Sequence, residues 1–268
     1  MIVRQPRGSL RPFIERVWSS GPEDGDAKVE RERMVPTGAM HLAIRLSDDP
    51  IRVFEREDAE GTCFGYEVIG GARSRYCVKD VRHRGRAVGA VLAPGASLPL
   101  LGAPAEAFSE RHVALADVWG RGAAELREQL RETAPERQLA RFEELLAARL
   151  PRVRGLHPAV AHAIARLGDG EDIAEIVDET GYSHRRFLTL FRESVGLAPK
   201  RYGRVRRVTR VLEELRLTPS ASWAQLAAAA GYADQAHLTR ELSEIAGVTP
   251  GEYRRVAPLH AHHVPLRR

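Results

Sequence analysis

Two cysteines in 268 residues, Cys63 and Cys77, are too few for the disulfide framework that holds small secreted domains together. They are expected to be free thiols in a reducing compartment, and their spacing matches no compact metal-ligand motif. Long apolar runs are missing as well: no uninterrupted stretch approaches the ~18 residues that a membrane helix needs. The opening MIVRQPRGSLRPF lacks the apolar core of a signal peptide, so the chain is expected in the cytoplasm, away from membranes. No G-x-S-x-G, HExxH, phosphate-loop or GxGxxG pattern occurs, which removes the common hydrolase, zinc-protease and nucleotide-binding signatures. No catalytic residue, metal or cofactor is therefore expected.

What is present suits a folded chain: 43% hydrophobic residues, and length for one large domain or two small ones. Residues from about 10 to 93 read as β-rich, because FIERVW, RERMV, MHLAIRL, IRVFE, GYEVI, SRYCV and AVGAVLA are short, partly alternating and separated by Gly, Pro and Asp. A small barrel or sandwich fits that spacing. After Pro94-Gly95 the period lengthens. Ala124, Leu126 and Leu130, then Leu139, Phe142, Leu145, Leu146 and Leu150, form two stripes at helical spacing. Pro135 separates the two helices, since it cannot continue the first but suits the opening turn of the second. The pair either packs on its own barrel or joins another subunit.

PRVRGLHP, residues 151 to 158, is the expected linker, being flanked by prolines and free of helical periodicity. It divides a domain over residues 1 to 150 from a helical domain over 159 to 256, with a tail over 257 to 268. Gly168 is expected to end the first helix of the second domain, and the acids of GDGEDIAEIVDET to favour the start of the next. Residues 1 to 150 carry 23 basic and 23 acidic side chains, whereas residues 151 to 268 carry 18 and 13. All of the net charge of +5 thus lies in the second part. Lys200, Arg201, Arg204, Arg206, Arg207 and Arg210 crowd together with no acid among them, which points either to a polyanion or to a solvated helix face.

The second part also repeats itself. GYSHRRFLTLFR (Gly181 to Arg192) is echoed by GYADQAHLTREL (Gly231 to Leu242), and the copies run on into VGLAPKRY and AGVTPGEY. A turn glycine between a short helix and an amphipathic one is the plan of a helix-turn-helix, whose second helix enters the DNA major groove. Glycines that merely end the helices of a bundle are the competing reading. Two copies on one long basic helix, RYGRVRRVTRVLEELR, can address two successive grooves.

Over Ala159 to Arg255 the chain resembles the AraC/XylS family of bacterial transcription regulators. GYADQAHLTREL with GVTPGEYR is similar to the family's GF-x-D-Q-S-H-F-x-R-x-F and G-x-T-P-x-x-Y-R, and the first unit is similar to G-x-S-x-x-x-L-x-R-L-F and G-x-x-P-x-x-Y. Thr189 stands where the family commonly has arginine, Val177 replaces a small residue before the turn, and Leu238 and Leu242 replace phenylalanines. VPTGAMHLAI (Val35 to Ile44), VGAVLAPGASLPLLGAPAEAF (Val88 to Phe108) and VALADVWG (Val113 to Gly120) resemble a domain often found before such units. The resemblance implies an α+β chain: a cupin-like β-barrel with trailing helices, then two helix-turn-helix units joined by a long helix. It further implies a sequence-specific regulator of double-stranded DNA, a small-molecule effector of unknown identity, a contact with RNA polymerase if the regulator activates, and a homodimer if the amino-terminal domain pairs subunits. Some DNA-repair methyltransferases carry an AraC-type unit, but neither GTCFG nor RYCVK supplies their Pro-Cys setting.

The base-reading candidates are His184, Arg185, Arg186 and Thr189 on the first recognition helix, and Gln235, His237 and Arg240 on the second. Arg185 can pair bidentately with guanine, Gln235 with adenine, and Arg240 with guanine or phosphate. Ser183 and Asp234 are expected to cap their helices. Lys200, Arg201, Arg204, Arg207 and Arg254 are assigned to gripping phosphate or orienting the domain. In the barrel, Trp18, His41, Tyr66 and Tyr76 are candidates for an effector pocket or for ordinary core. His260, His262 and His263 lie in a tail expected to be disordered rather than metal-binding.

Overall fold

The alternating segments of the first part become strands in the structure, a computed structural model that describes residues 1–22, 28–57, 59–83, 85–150, 156–167 and 173–266. They are β1 (Ile2–Arg4), β2 (Ile14–Ser20), β3 (Arg31–Met34), β4 (Met40–Arg45), β5 (Arg52–Phe54), β6 (Thr62–Cys63), β7 (Glu67–Gly70), β8 (Cys77–Asp80), β9 (Ala87–Leu92) and β10 (His112–Ala114). All pair antiparallel, in a six-stranded sheet of order β1-β2-β9-β4-β7-β10 and a second sheet in which β3, β8, β5 and β6 are consecutive neighbours. The alternation decides the faces, as successive side chains point to opposite sides of a strand. Val17, Leu42, Ile44, Ile69, Val88 and Ala90 share one core. On β9 only glycine fits opposite Trp18, since a Cβ at Gly89 would come within 2.2 Å of the indole.

Four α-helices complete this part: α1 (Ser97–Leu101), between β9 and β10, then α2 (Ala116–Trp119), α3 (Arg121–Glu132) and α4 (Pro135–Arg149). Pro135 occupies the first turn of α4, where its missing N–H costs nothing. Leu126, Leu130, Leu139, Phe142 and Leu146 are buried as their spacing implied, but Ala123 rather than Ala124 completes the α3 stripe. These stripes join the core of the six-stranded sheet, so the pair packs on its own strands. Arg4 clamps α4 by a bidentate pair with Glu143, whose Oε1 also accepts from the Arg7 N–H at 2.9 Å.

The second part is helical: α5 (Pro158–Leu167), α6 (Ile173–Thr180), α7 (His184–Val195), α8 (Pro199–Leu217), α9 (Trp223–Ala229), α10 (Gln235–Ala246) and α11 (Pro250–Val256). Most of the expected linker (151–155), Gly168 and the acids Asp169 to Asp172 lie outside the described residues. The α+β class, with the strand-rich part before the helical part, is as expected. The tail is not disordered: its β11 (His263–Leu266) pairs with β3 and becomes the edge strand of the second sheet. Its apolar Val264 is the reason, because it is fully buried against Val35 and the second helical unit.

The cores do not follow the expected boundary. One runs from the six-stranded sheet through α3 and α4 into the first unit, where it includes Val160, Ala163, Ile176, Phe187, Phe191, Val195 and Tyr202. The other gathers Val205, Val208, Leu212 and the second unit around Val35 and Val264. Each fully buried Phe or Leu contributes roughly 1.5–3 kcal/mol, so the first unit is held to the sheets by several such contributions.

Candidate nucleic-acid interface

Each recognition helix starts at a side-chain cap and ends at a left-handed glycine. In the first unit the chain turns at Gly181 (φ 71°), and Ser183 accepts from the Arg186 N–H at 3.4 Å to start α7. In the second it turns at Gly231 (φ 74°), and Asp234 accepts from the His237 N–H at 2.6 Å to start α10. The expected capping role of Asp234 is thus seen. Gly196 (φ 90°) and Gly247 (φ 71°) end the two helices. From the caps onward equivalent residues are 51 apart, because Ala233 adds one residue to the second turn. His184 therefore matches Gln235, Arg186 matches His237, and Thr189 matches Arg240.

Burial separates the two faces. Phe187, Phe191 and Val195 on α7, and Leu238, Leu242 and Ile245 on α10, are buried. His184, Arg185, Arg186 and Thr189 are exposed, as are Gln235 and Arg240. His237 differs from this set. Its ring stands perpendicular to Tyr232 at 5.1 Å, and its Nε2 lies 3.8 Å from the Glu241 carboxylate, so it is turned partly inward.

Glu241 is a buried carboxylate that sequence inspection did not single out. It accepts from Arg204 Nε at 2.7 Å and from the Tyr232 hydroxyl at 3.0 Å, and Arg207 Nη2 lies 3.8 Å away. Arg204 also donates to Glu244 at 2.6 Å, and the Arg207 guanidinium stands 4.9 Å from the Tyr232 ring centre. These pairs join α8 to α10. Hydrogen bonds from Arg204 and Arg75 hold the Glu244 carboxyl below its ordinary range, and burial with the adjacent Glu241 charge pushes the Tyr232 phenol up. The only hint in the sequence was matching spacing: two arginines three apart on one helix and two glutamates three apart on the other.

This geometry divides the basic set. Lys200 and Arg201 are exposed, although Arg201 comes within 3.9 Å of Glu110. Arg204 and Arg207 are occupied by carboxylates, and Arg254 donates to the Ala221 carbonyl at 2.5 Å and stands 5.3 Å from the Trp223 ring centre. All three thus have partners within the chain, which agrees with an orienting role. Between the units lies a cleft of about 580 Å³ whose walls include Lys200, Arg204, Arg207, His237 and Arg240.

The four effector-pocket candidates do not converge. Trp18 packs on Gly89, Tyr66 lies under the Arg127 guanidinium at 3.8 Å, and Tyr76 abuts Gly247 of the second unit. His41 lies 3.4 Å from the Thr37 hydroxyl, and burial, reinforced by His263, His112, His262 and Arg16, lowers its pKa to about 3. The cysteines are free: Cys63 is exposed, while burial pushes the Cys77 thiol up to about 11. With β5 between their strands and an offset of about three residues along it, they stand roughly 14 Å apart, beyond disulfide reach. The tail histidines are held at β8 and α8: Lys79 donates to His263 Nδ1 at 2.8 Å, and His262 lies 3.7 Å from Glu213. Among the described residues no cluster of three or more His, Cys, Asp or Glu is arranged to hold a metal.

Residues 176–256 match a family model described as a helix-turn-helix domain, and residues 3–114 match one described as a domain of unknown function, DUF6597. No curated protein matches. Among solved structures, ToxT from Vibrio cholerae aligns over 89% of this chain and 96% of its own at 10% identity, with a TM-score of 0.47. The apo form of a ToxT variant aligns over 94% and 99% at 11% identity, with a TM-score of 0.49. ToxT bound to an unsaturated fatty acid aligns over 89% and 93% at 11% identity, with a TM-score of 0.47. Likeness at this level carries no functional inference.

Proposed function

We propose that the chain is an AraC-type DNA-binding transcription regulator, in which the helix-turn-helix domain over residues 176–256 uses α7 and α10 to read two neighbouring major-groove segments of different sequence. The observation that carries this reading is two capped, half-exposed helices flanking one uninterrupted helix. α8 has 19 residues. At about 1.5 Å per residue it is about 28 Å long, comparable with the ~34 Å repeat of the major groove. The outward residues differ, with Arg185 and Thr189 on one helix and Gln235 and Arg240 on the other, so the two segments read are unlike. Arg185 pairs with guanine, and Gln235 with adenine. Lys200 and Arg201 contribute phosphate contacts. Selection of bound sequences from a random DNA pool tests this. Two short preferred segments about one helical turn apart are expected. Enrichment of a single segment, or of none, overturns the reading.

For the sheets and α1–α4 we infer a signal-receiving role. It is supported by a cleft of about 340 Å³ where Ser74, Arg75 and Glu110 face Arg201, Arg204 and Glu244. A ligand there competes with the Arg75–Glu244 and Arg204–Glu244 pairs, and shifts the chain toward whichever arrangement it binds better. A metabolite panel that changes neither thermal stability nor DNA affinity would leave subunit pairing as the role of this part.

A further inference from the structure

The last turn of a helix leaves carbonyls without partners inside the helix. In both recognition helices the same one is satisfied by the sheet part of the chain. The Gly95 N–H donates to the Ser194 carbonyl of α7 at 2.7 Å, and the Tyr76 N–H donates to the Ile245 carbonyl of α10 at 2.8 Å. Ser194 and Ile245 are 51 residues apart, so they are equivalent positions of the repeat. The glycines that follow are docked as well. A Cβ at Gly196 would come within 3.1 Å of the Ala105 carbonyl and 3.2 Å of the Ala72 methyl, and one at Gly247 within 2.4 Å of the Tyr76 ring. Ala72 and Tyr76 belong to the same short connection between β7 and β8.

On the second side the docking is reinforced by the tail. β11 pairs with β3 over four positions, from His263 opposite Met34 to Leu266 opposite Arg31. The Val35 N–H donates to the His262 carbonyl at 2.9 Å, and the Tyr253 hydroxyl of α11 donates to the Ala261 carbonyl at 3.0 Å. Only a short segment, turned by Ala257 at φ 43°, separates α11 from that strand. The second unit is therefore tied to the sheets by the end of its own chain.

We propose that the sheet part is a bracket that grips both recognition helices by equivalent carboxyl-terminal ends and so sets the separation at which they read DNA, with Tyr76 and the β11 strand as its spacing-determining elements. This rests on the two-segment reading above. The bracket leaves the amino-terminal ends of both helices exposed.

The test uses full-length protein and DNA pools in which two selected segments are separated by varied numbers of base pairs. Three chains are compared: native, Tyr76→Ala, and one with six Gly/Ser residues inserted between Leu259 and His260. The insertion keeps Val264 and β11 in place while slackening their tie to α11. The native chain should favour one spacing over its neighbours by at least about tenfold, and the two variants should bring those neighbours to within about threefold while preferring the same bases in each segment. An unchanged spacing profile in both variants, with thermal stability retained, overturns the bracket. Tighter binding at the native spacing without broadening also overturns it. Failure of the native chain to select two segments would instead overturn the two-segment reading, a different and distinguishable result.

Discussion

The two helix-turn-helix units share a plan but are held differently. The first is buried by apolar contact: Phe187, Phe191 and Val195 continue the core of the six-stranded sheet, and Leu190 occupies the position that Glu241 has in the second. The second has its own smaller core, and adds a buried carboxylate, two guanidinium groups and a borrowed strand. The extra turn residue Ala233 accompanies the difference. Tyr232 is buried and bonds to Glu241, whereas Tyr182 of the first unit is exposed and lies 3.3 Å from His157 Nε2. Apolar packing is strong but indifferent to direction, while charged hydrogen bonds fix an angle. The first unit is thus anchored, and the second is aimed.

The comparison breaks most visibly in the cores. Phe191→Ala should cost about 3–5 kcal/mol and lower the melting of sheets and first unit together, because they share one core. Leu242→Ala should cost about 2–5 kcal/mol and increase amide exchange in α9 to α11 before the sheets respond. Equal exchange throughout the chain in both variants would mean that the cores are not separable.

Glu241→Gln leaves two guanidinium groups short of their carboxylate. Removing one partner of a fully buried pair costs about 3–5 kcal/mol, and the partial exposure of Arg204 reduces that to about 2. Urea unfolding measures the loss, and DNA selection should show weakened preference in the α10 segment alone. The substitution of Leu190 by Met, at the equivalent place on α7, should change neither preference.

Arg185→Ala and Arg240→Ala should each relax one base position, in different segments, at about 1–3 kcal/mol. Relaxation of the same segment by both would end the assignment of one segment to each helix.

Acid sharpens the contrast at a smaller scale. Lys79 and burial, against the favourable Glu32, lower the His263 pKa to about 4, and burial lowers that of His112 to about 4 and that of His41 to about 3. Depressed imidazoles protonate first in the unfolded chain. Their contribution is complete above about pH 6.5 and is lost as pH falls toward 4 and then 3. Thermal unfolding across that window should show declining stability, with His263→Asn removing part of the slope and raising exchange first at β3 and β11. A slope untouched by that substitution would exclude His263 as a contributor.

Much of both units was legible beforehand because its causes are local. Ser183 and Asp234 accept from N–H groups three residues ahead, and Gly181 and Gly231 adopt conformations that disfavour side chains, all within one turn of chain. Strand alternation likewise announced its buried faces. The outward positions of Arg185, Thr189, Gln235 and Arg240 followed from the same periodicity. His237 did not, because it turns toward Tyr232, which the second core buries, and toward Glu241.

The sequence by itself determined most of the strands and helices, though not β11 in the tail, where the two units begin and end, and which side of each recognition helix faces outward. The tertiary structure decided what those units lean on. Arg204 and Arg207 meet Glu241 across more than thirty residues, β11 meets β3 across more than two hundred, and Gly95 and Tyr76 reach equivalent helix ends from loops of another layer. Caps and turns act over one turn of chain, so their partners are written beside them. Ion pairs, strand pairing and shared cores depend on which distant segments arrive together, and that is set only when the apolar faces have packed.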